Sequence, residues 1–166
     1  MSHWPLQSQC DAFYGNPRGI GGSIESTVWH ASNIKQIIPP FSMHMAGPIT
    51  KISVHKKCAT SFDQWLNEVW INAGRDQEKI KFWGMDIFSG SLVFRTMRTN
   101  HLKLSMHSYG CAIDFDAPHN GQGSRNGKLS RFIKQVINPF KDLGGTWGGD
   151  WKNGTDDMHF QFANVG

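Results

Sequence analysis

The sequence predicts an α+β domain: a small, mainly antiparallel sheet flanked by helices. Three observations carry that expectation. Residues 60–73 repeat Phe62, Trp65, Leu66, Val69 and Trp70 at three- and four-residue steps, which gathers them on one helix face. Short extended runs rich in apolar residues occur at 49–54, 111–116 and 157–162. Helical and strand-like segments do not alternate in the rhythm of a parallel sheet.

Each element follows in chain order. Residues 5–14 predict a short opening helix with Leu6, Cys10 and Phe13 on one face, ended by a loop through Asn16-Pro17-Arg18-Gly19 and Gly21-Gly22. Between 23 and 55, Pro39-Pro40 and Gly47-Pro48 cut the chain into short extended pieces, of which Ile49–Val54 reads as a strand. The helix at 60–73 takes Thr60 or Ser61 as its cap and Gly74 as its stop. Lys81–Phe88 and Ser91–Arg95, joined by Ser89-Gly90, suggest a hairpin, and 96–104 is a polar connection. A strand at 111–116 leads into a polar, glycine-rich loop from Pro118 to Gly127. A second helix spans 128–138, with Leu129, Phe132, Ile133, Val136 and Ile137 on its buried side and Asn138-Pro139 as its end. Gly144–Trp151 turns the chain, and 157–162 forms the last strand.

At 166 residues the chain suits one domain, 1–166, with a real core. Hydrophobic residues make up 39% and charged residues 18%, a globular balance rather than a disordered one. Seven Trp and eleven Phe supply both core and candidate groove walls. The net charge of +4 and pI near 9.1 favour a polyanionic partner, yet no basic run exceeds Lys56-Lys57, so a nucleic-acid-binding arm is not expected. Cys10, Cys58 and Cys111 are odd in number and widely spaced, which argues against a disulfide framework and for buried small hydrophobes. The N-terminus lacks the basic and apolar regions of a secretory signal, and no apolar run spans a bilayer. The expectation is therefore a protein made in the cytoplasm that needs another factor for release.

The chemistry concentrates in two stretches. Ser105–Asp116 carries His107, Gly110 and, on an apolar strand-like run, Asp114. Asp156–Gln161 carries two acids and His159. If Gly110 lets the chain fold back, His107 and Asp114 reach one point, and His159 on the final strand completes a set of two imidazoles and a carboxylate. Zinc accepts such ligands and, in catalytic sites, keeps a position for water. Spacing alone leaves a metal site and ordinary structural histidines both open. Asp156 and Asp157 are neighbours in an extended segment, so at most one faces such a site. His101 and His119 are expected to face solvent, and Asp150 to serve the turn. Trp147 and Trp151 fit either the core or the wall of a cleft beside the site.

The motifs Ser105-x-His107-x-x-Gly110-x-Ala112-x-Asp114, Gly148-Gly149-Asp150-Trp151 and Asp156-x-x-His159-Phe160-Gln161 together resemble the peptidoglycan peptidases grouped with the D-alanyl-D-alanine carboxypeptidases, nearest to phage and bacterial L-alanyl-D-glutamate endopeptidases. The likeness is strong from about Phe94 to Phe162. It implies a Hedgehog/DD-peptidase-like fold, a Zn2+ ion held by His107, Asp114 and His159, and Asp156 as catalytic base. It also implies an arginine upstream of His107 to stabilise the oxyanion. Arg95 is favoured because it follows an extended apolar run, with Arg98 as the alternative. Ser105 would lie at the substrate cleft with Trp151. The implied activity is hydrolysis of the cell-wall peptide stem by a monomeric endolysin-type enzyme without nucleic-acid partner or membrane anchor. The rivals are a D-Ala-D-Ala carboxypeptidase or dipeptidase, and an inactive cell-wall-binding module of the same fold.

Overall fold

The structure is a computed structural model that describes residues 3–124 and 126–166. It is α+β, built from small antiparallel sheets and helices, as the sequence predicts. The four-stranded sheet has the order β5-β6-β8-β7, with β5 at Phe88–Gly90, β6 at Ala112–Phe115, β7 at Thr146–Trp147 and β8 at His159–Gln161. Two ribbons accompany it: β1 (Ile34–Ile37) with β4 (Ile52–His55), and β2 (Met43–His44) with β3 (Pro48–Ile49).

Period-two alternation gives the central sheet two different faces. Ile113 and Phe160 lie opposite one another, and with Phe115 they face the long helix α3, Ala59–Asn72. There Trp65 meets Phe160 at 4.6 Å and Phe115 at 5.8 Å between ring centroids, and its indole N–H donates to the Val136 carbonyl at 2.9 Å. Phe62, Trp65, Leu66 and Val69 of this helix are all fully buried, each worth roughly 2–3 kcal/mol of apolar transfer. Asp114 and His159 are opposite each other on the other face, as are Ala112 and Gln161. The core therefore anchors one side of β6 and β8 and leaves the other for chemistry.

Several local expectations are revised. The stretch 23–55 contains a helix, α2 (Thr27–Asn33), capped by the Ser26 hydroxyl accepting from Trp29 N–H. Its short length and exposed Val28 left little periodic signal. Ile49–Val54 is not one strand, because β3 and β4 pair with different partners. Helix α3 begins at Ala59 and is not capped by Thr60 or Ser61. The expected strand from Lys81 begins as helix instead: α4 (Gln77–Trp83) is capped by Asp76, whose carboxylate accepts from Glu78 N–H, and ended by left-handed Gly84, and the expected turn at Ser89-Gly90 lies within strand β5. Residues 91–95 form no strand and join no hairpin with that segment. Their polar backbone groups bond the turn that carries His107, through Val93 N–H to the His107 carbonyl and Arg95 N–H to the Ser108 hydroxyl.

The expected helix at 128–138 changes pitch twice, as a 3-10 turn (Lys128–Phe132), a π turn (Ile133–Ile137) and then α6 (Asn138–Asp142). Pro139 starts the last piece rather than ending the element, because a proline in a helix's first turn loses no necessary N–H bond. In the opening helix, α1 (Cys10–Tyr14), the buried residues are Cys10 and Tyr14, while Leu6 is exposed. All three cysteines are buried free thiols. The glycine-rich loop from Pro118 opens with a short helix, α5 (Ala117–Asn120), and Arg125 within that loop lies outside the described residues. Among the described residues no helix is long and apolar enough to cross a membrane.

Candidate metal centre

His107 sits on a 3-10 turn, Met106–Tyr109, whose first N–H groups are served by the Ser105 hydroxyl accepting from His107 N–H at 3.3 Å. Gly110 ends the turn at φ +71°, and a Cβ there would lie 2.8 Å from the backbone nitrogen of His55. Left-handed backbone and close approach both require glycine. The reversal at Gly110 feeds the chain straight into β6, where Asp114 stands across the ladder from His159. Directly opposed residues in an antiparallel pair have Cβ atoms about 5 Å apart, so the register alone brings these two side chains together.

The three side chains meet in the interior, with His107 3%, Asp114 8% and His159 6% exposed. Nε2 of His107 lies 3.1 Å from one Asp114 oxygen, and Nδ1 of His159 lies 2.9 Å from the other. Among the described residues they form the one group of His, Cys, Asp or Glu whose ligand atoms all lie within 4.8 Å of one another, and they are positioned to bind a metal. The opposite ring nitrogens meet acceptors: Nδ1 of His107 lies 2.7 Å from the Ser91 carbonyl, and Nε2 of His159 lies 2.8 Å from Oε1 of Gln161. Each imidazole thus donates outward and turns its other nitrogen toward Asp114, the orientation of metal-bound histidines. Two nitrogens and a carboxylate form a donor set that suits zinc.

Electrostatics follow from burial. Burial alone would raise the Asp114 carboxyl, but hydrogen bonds from His107 and His159, and their charge, hold it well below its ordinary range. Burial alone would lower His159, yet its bond to Asp114, with help from Asp156 and Gln161, raises it. Asp156 is raised, first by burial and then by the negative charge of Asp114, against the opposing pull of His159, His107 and Arg98.

A cleft of about 570 Å³ opens over the group, within the range of small-ligand sites. Asp156, Ser105, Arg95, Arg98 and Trp151 all line it. Asp156 is 7% exposed, and its Oδ1 has no hydrogen-bond partner among the described residues. Asp157 does not line the cleft, and its carboxylate accepts from Gly127 N–H at 2.7 Å. Arg95 is half-buried with one guanidinium N–H on the Thr96 carbonyl at 3.2 Å, whereas Arg98 is exposed and its charge acts on Asp156. The Trp151 ring lies 5.2 Å from that of His159, and its indole N–H is buried without a partner among the described residues. Trp147 is core, its N–H donating to the Asp157 carbonyl. His101 is exposed, and half-exposed His119 pairs with Asp116. Asp150 pairs with Lys141 at the rim.

Reading the sequence placed Gln161 in the C-terminal motif without giving it a role, and did not single out Ser91 or Ser108 for this site. Gln161 carried a usable signal, since residue i+2 on a strand shares a face with His159. Ser91 acts through its carbonyl, which any residue supplies. Ser108 is fully buried and donates to the Arg95 carbonyl at 2.7 Å, tying the cleft wall to the His107 turn.

Comparison with known proteins agrees with the resemblance read from the motifs. Residues 99–162 match the D-alanyl-D-alanine carboxypeptidase family. The chain is also 28% identical over 151 residues to the peptidoglycan L-alanyl-D-glutamate endopeptidase CwlK of Bacillus subtilis (strain 168), covering 80% of this chain and 81% of that protein. No solved structure matches at a significant level. The matched segment contains His107, Asp114, Asp156 and His159.

Proposed function

We propose that the protein is a zinc-dependent peptidase of the cell-wall peptide stem, an L-alanyl-D-glutamate endopeptidase of the endolysin type that acts on the wall after release from the host cytoplasm. One observation supports this most: two imidazole nitrogens and the Asp114 carboxylate converge beneath a cleft that also holds Asp156, whose Oδ1 has no hydrogen-bond partner among the described residues. Similarity to CwlK favours the L-Ala–D-Glu bond.

When bound by His107, Asp114 and His159, zinc supplies Lewis acidity and brings the pKa of a coordinated water to about 7. Asp156 then has one task in two steps. Its Oδ1 takes the proton of the attacking water and delivers it to the leaving amine. Arg95 donates to the developing oxyanion from the cleft wall, with Arg98 as its rival. Of the two, Arg95→Ala should cut kcat by about 10²–10³-fold, the usual cost of one oxyanion donor. An equal loss in Arg98→Ala alone would reassign the role. Ser105 holds the His107 turn at the cleft edge, and the Trp151 indole N–H is a donor for a substrate carbonyl.

The family matched by residues 99–162 favours a second reading, a carboxypeptidase that removes D-alanine. Digestion of purified walls and defined muropeptides by the zinc-loaded protein, followed by mass spectrometry, separates the two. New N-terminal D-Glu is the expected product. Released D-Ala would establish the second reading, and no cleavage of either bond would overturn the enzyme.

A further inference from the structure

We propose that Gln161 is the positioning residue of the metal centre, holding the His159 ring so that Nδ1, and not Nε2, is presented as ligand. The inference rests on the metal reading above and deepens it. Gln161 is fully buried on β8, two residues beyond His159 and therefore on the same face. Its ladder partner is Ala112, whose small side chain leaves room for the amide.

The direction of each hydrogen bond follows from what each atom can do. The Ala163 carbonyl only accepts, so the Gln161 amide nitrogen donates to it, at 2.9 Å. Oε1 is then the atom that faces Nε2 of His159, at 2.8 Å. A carbonyl oxygen accepts only, so Nε2 carries a hydrogen, and Nδ1, which faces Asp114, is the nitrogen left to present its lone pair when a metal replaces the proton there. His107 is arranged the opposite way, with Nδ1 donating to the Ser91 carbonyl and Nε2 turned inward. One histidine is thus oriented by backbone, which no substitution removes. The other is oriented by a single side chain. An apolar residue would serve the ladder equally well at a fully buried position and would avoid desolvating an amide. The amide's two bonds, one to His159 and one to Ala163, account for its presence.

The test measures zinc affinity by chelator competition in wild type, Gln161→Met and Gln161→Glu. Methionine keeps the length and removes the acceptor, so zinc should bind about 10–100-fold more weakly, the usual cost of losing such a partner. Glutamate keeps an acceptor on Nε2 and should hold or tighten affinity. Long-range ¹H–¹⁵N imidazole spectra of the zinc-loaded wild type should report metal on Nδ1 of His159 and on Nε2 of His107. Wild-type affinity in Gln161→Met, or coordination of His159 through Nε2, would overturn the inference while leaving the metal reading intact. Should Gln161→Met fail to fold, a tenfold or greater weakening in Gln161→Glu would overturn it instead. Failure of the wild type to take up zinc would remove the metal reading itself and this inference with it.

Discussion

Two adjacent aspartates show how little distance separates a carboxylate left open to a cleft from one held by backbone. Asp156 and Asp157 are consecutive, and both are buried, which pushes both carboxyls up from their ordinary value. Asp157 is occupied by the Gly127 N–H and lies off the cleft, whereas Asp156 keeps, among the described residues, an unpaired oxygen within it. Asp156→Ala should therefore abolish most turnover, a drop of about 10²–10⁴-fold, while zinc content stays that of wild type. Asp157→Ala should instead lower stability by about 1–3 kcal/mol by orphaning a buried N–H, with kcat largely retained in the folded fraction. Metal analysis beside turnover assays distinguishes these outcomes, and the reverse pattern would exchange the roles. A paired-acid motif is visible in sequence. Which member is free depends on what the Gly127 loop bonds thirty residues away.

At the scale of elements, the turn before the last strand acts as a mould for Asp156. The Gly148 carbonyl accepts from both Asp156 N–H at 3.0 Å and Trp151 N–H at 3.2 Å. A Cβ at Gly148 would lie 2.2 Å from the Asp156 carbonyl oxygen, too close for any side chain. Gly148→Ala should push the Asp156 backbone outward, costing about 1–3 kcal/mol in stability and lowering kcat more than a substitution of equal cost in α3. Thermal melts and turnover compared across the two variants check this. A second element-level prediction concerns β4. His55 is fully buried, with Nε2 donating to the Tyr14 carbonyl and Nδ1 accepting from Lys57 N–H, and burial lowers its pKa to about 4. The unfolded chain, with a pKa near 6.5, binds more protons between those values. The contribution of neutral His55 is thus complete above pH 6.5 and is lost as pH falls toward 4, about 3 kcal/mol over the window. Urea melts from pH 7 to 4 should show a shallower loss in His55→Asn than in wild type.

For the whole molecule, the excess of cations meets an open cleft. The net charge is +4, and at the rim Lys141 pairs with Asp150 at 2.8 Å, so Arg95, Arg98 and Lys152 set the local sign. Adsorption to purified anionic wall should weaken with salt, since the screening length falls from about 10 Å at 0.1 M to about 3 Å at 1 M. A pelleting assay with walls would register this, and salt-independent adsorption would exclude a charge-driven contact. The metal group, by contrast, is buried and least affected by that screening.

The amino-acid order by itself determined the core helix and the presence of the two strands that carry Asp114 and His159, because such patterns are local and the large apolar residues of α3 repeat within a few turns. It also carried the motif-bearing residues, through types and spacings that need no coordinates. Only the tertiary structure decided how they meet: the β6–β8 register that sets Asp114 against His159, the Ser91 carbonyl and Gln161 amide that choose the inward nitrogens, and the loop that engages Asp157. It likewise decided that 77–83 is helical and that Pro139 begins a turn of helix rather than ending one. The physical reason is the same throughout. Hydrophobic period is written into neighbouring residues, whereas hydrogen-bond partners and close backbone approach are settled between segments far apart in the chain.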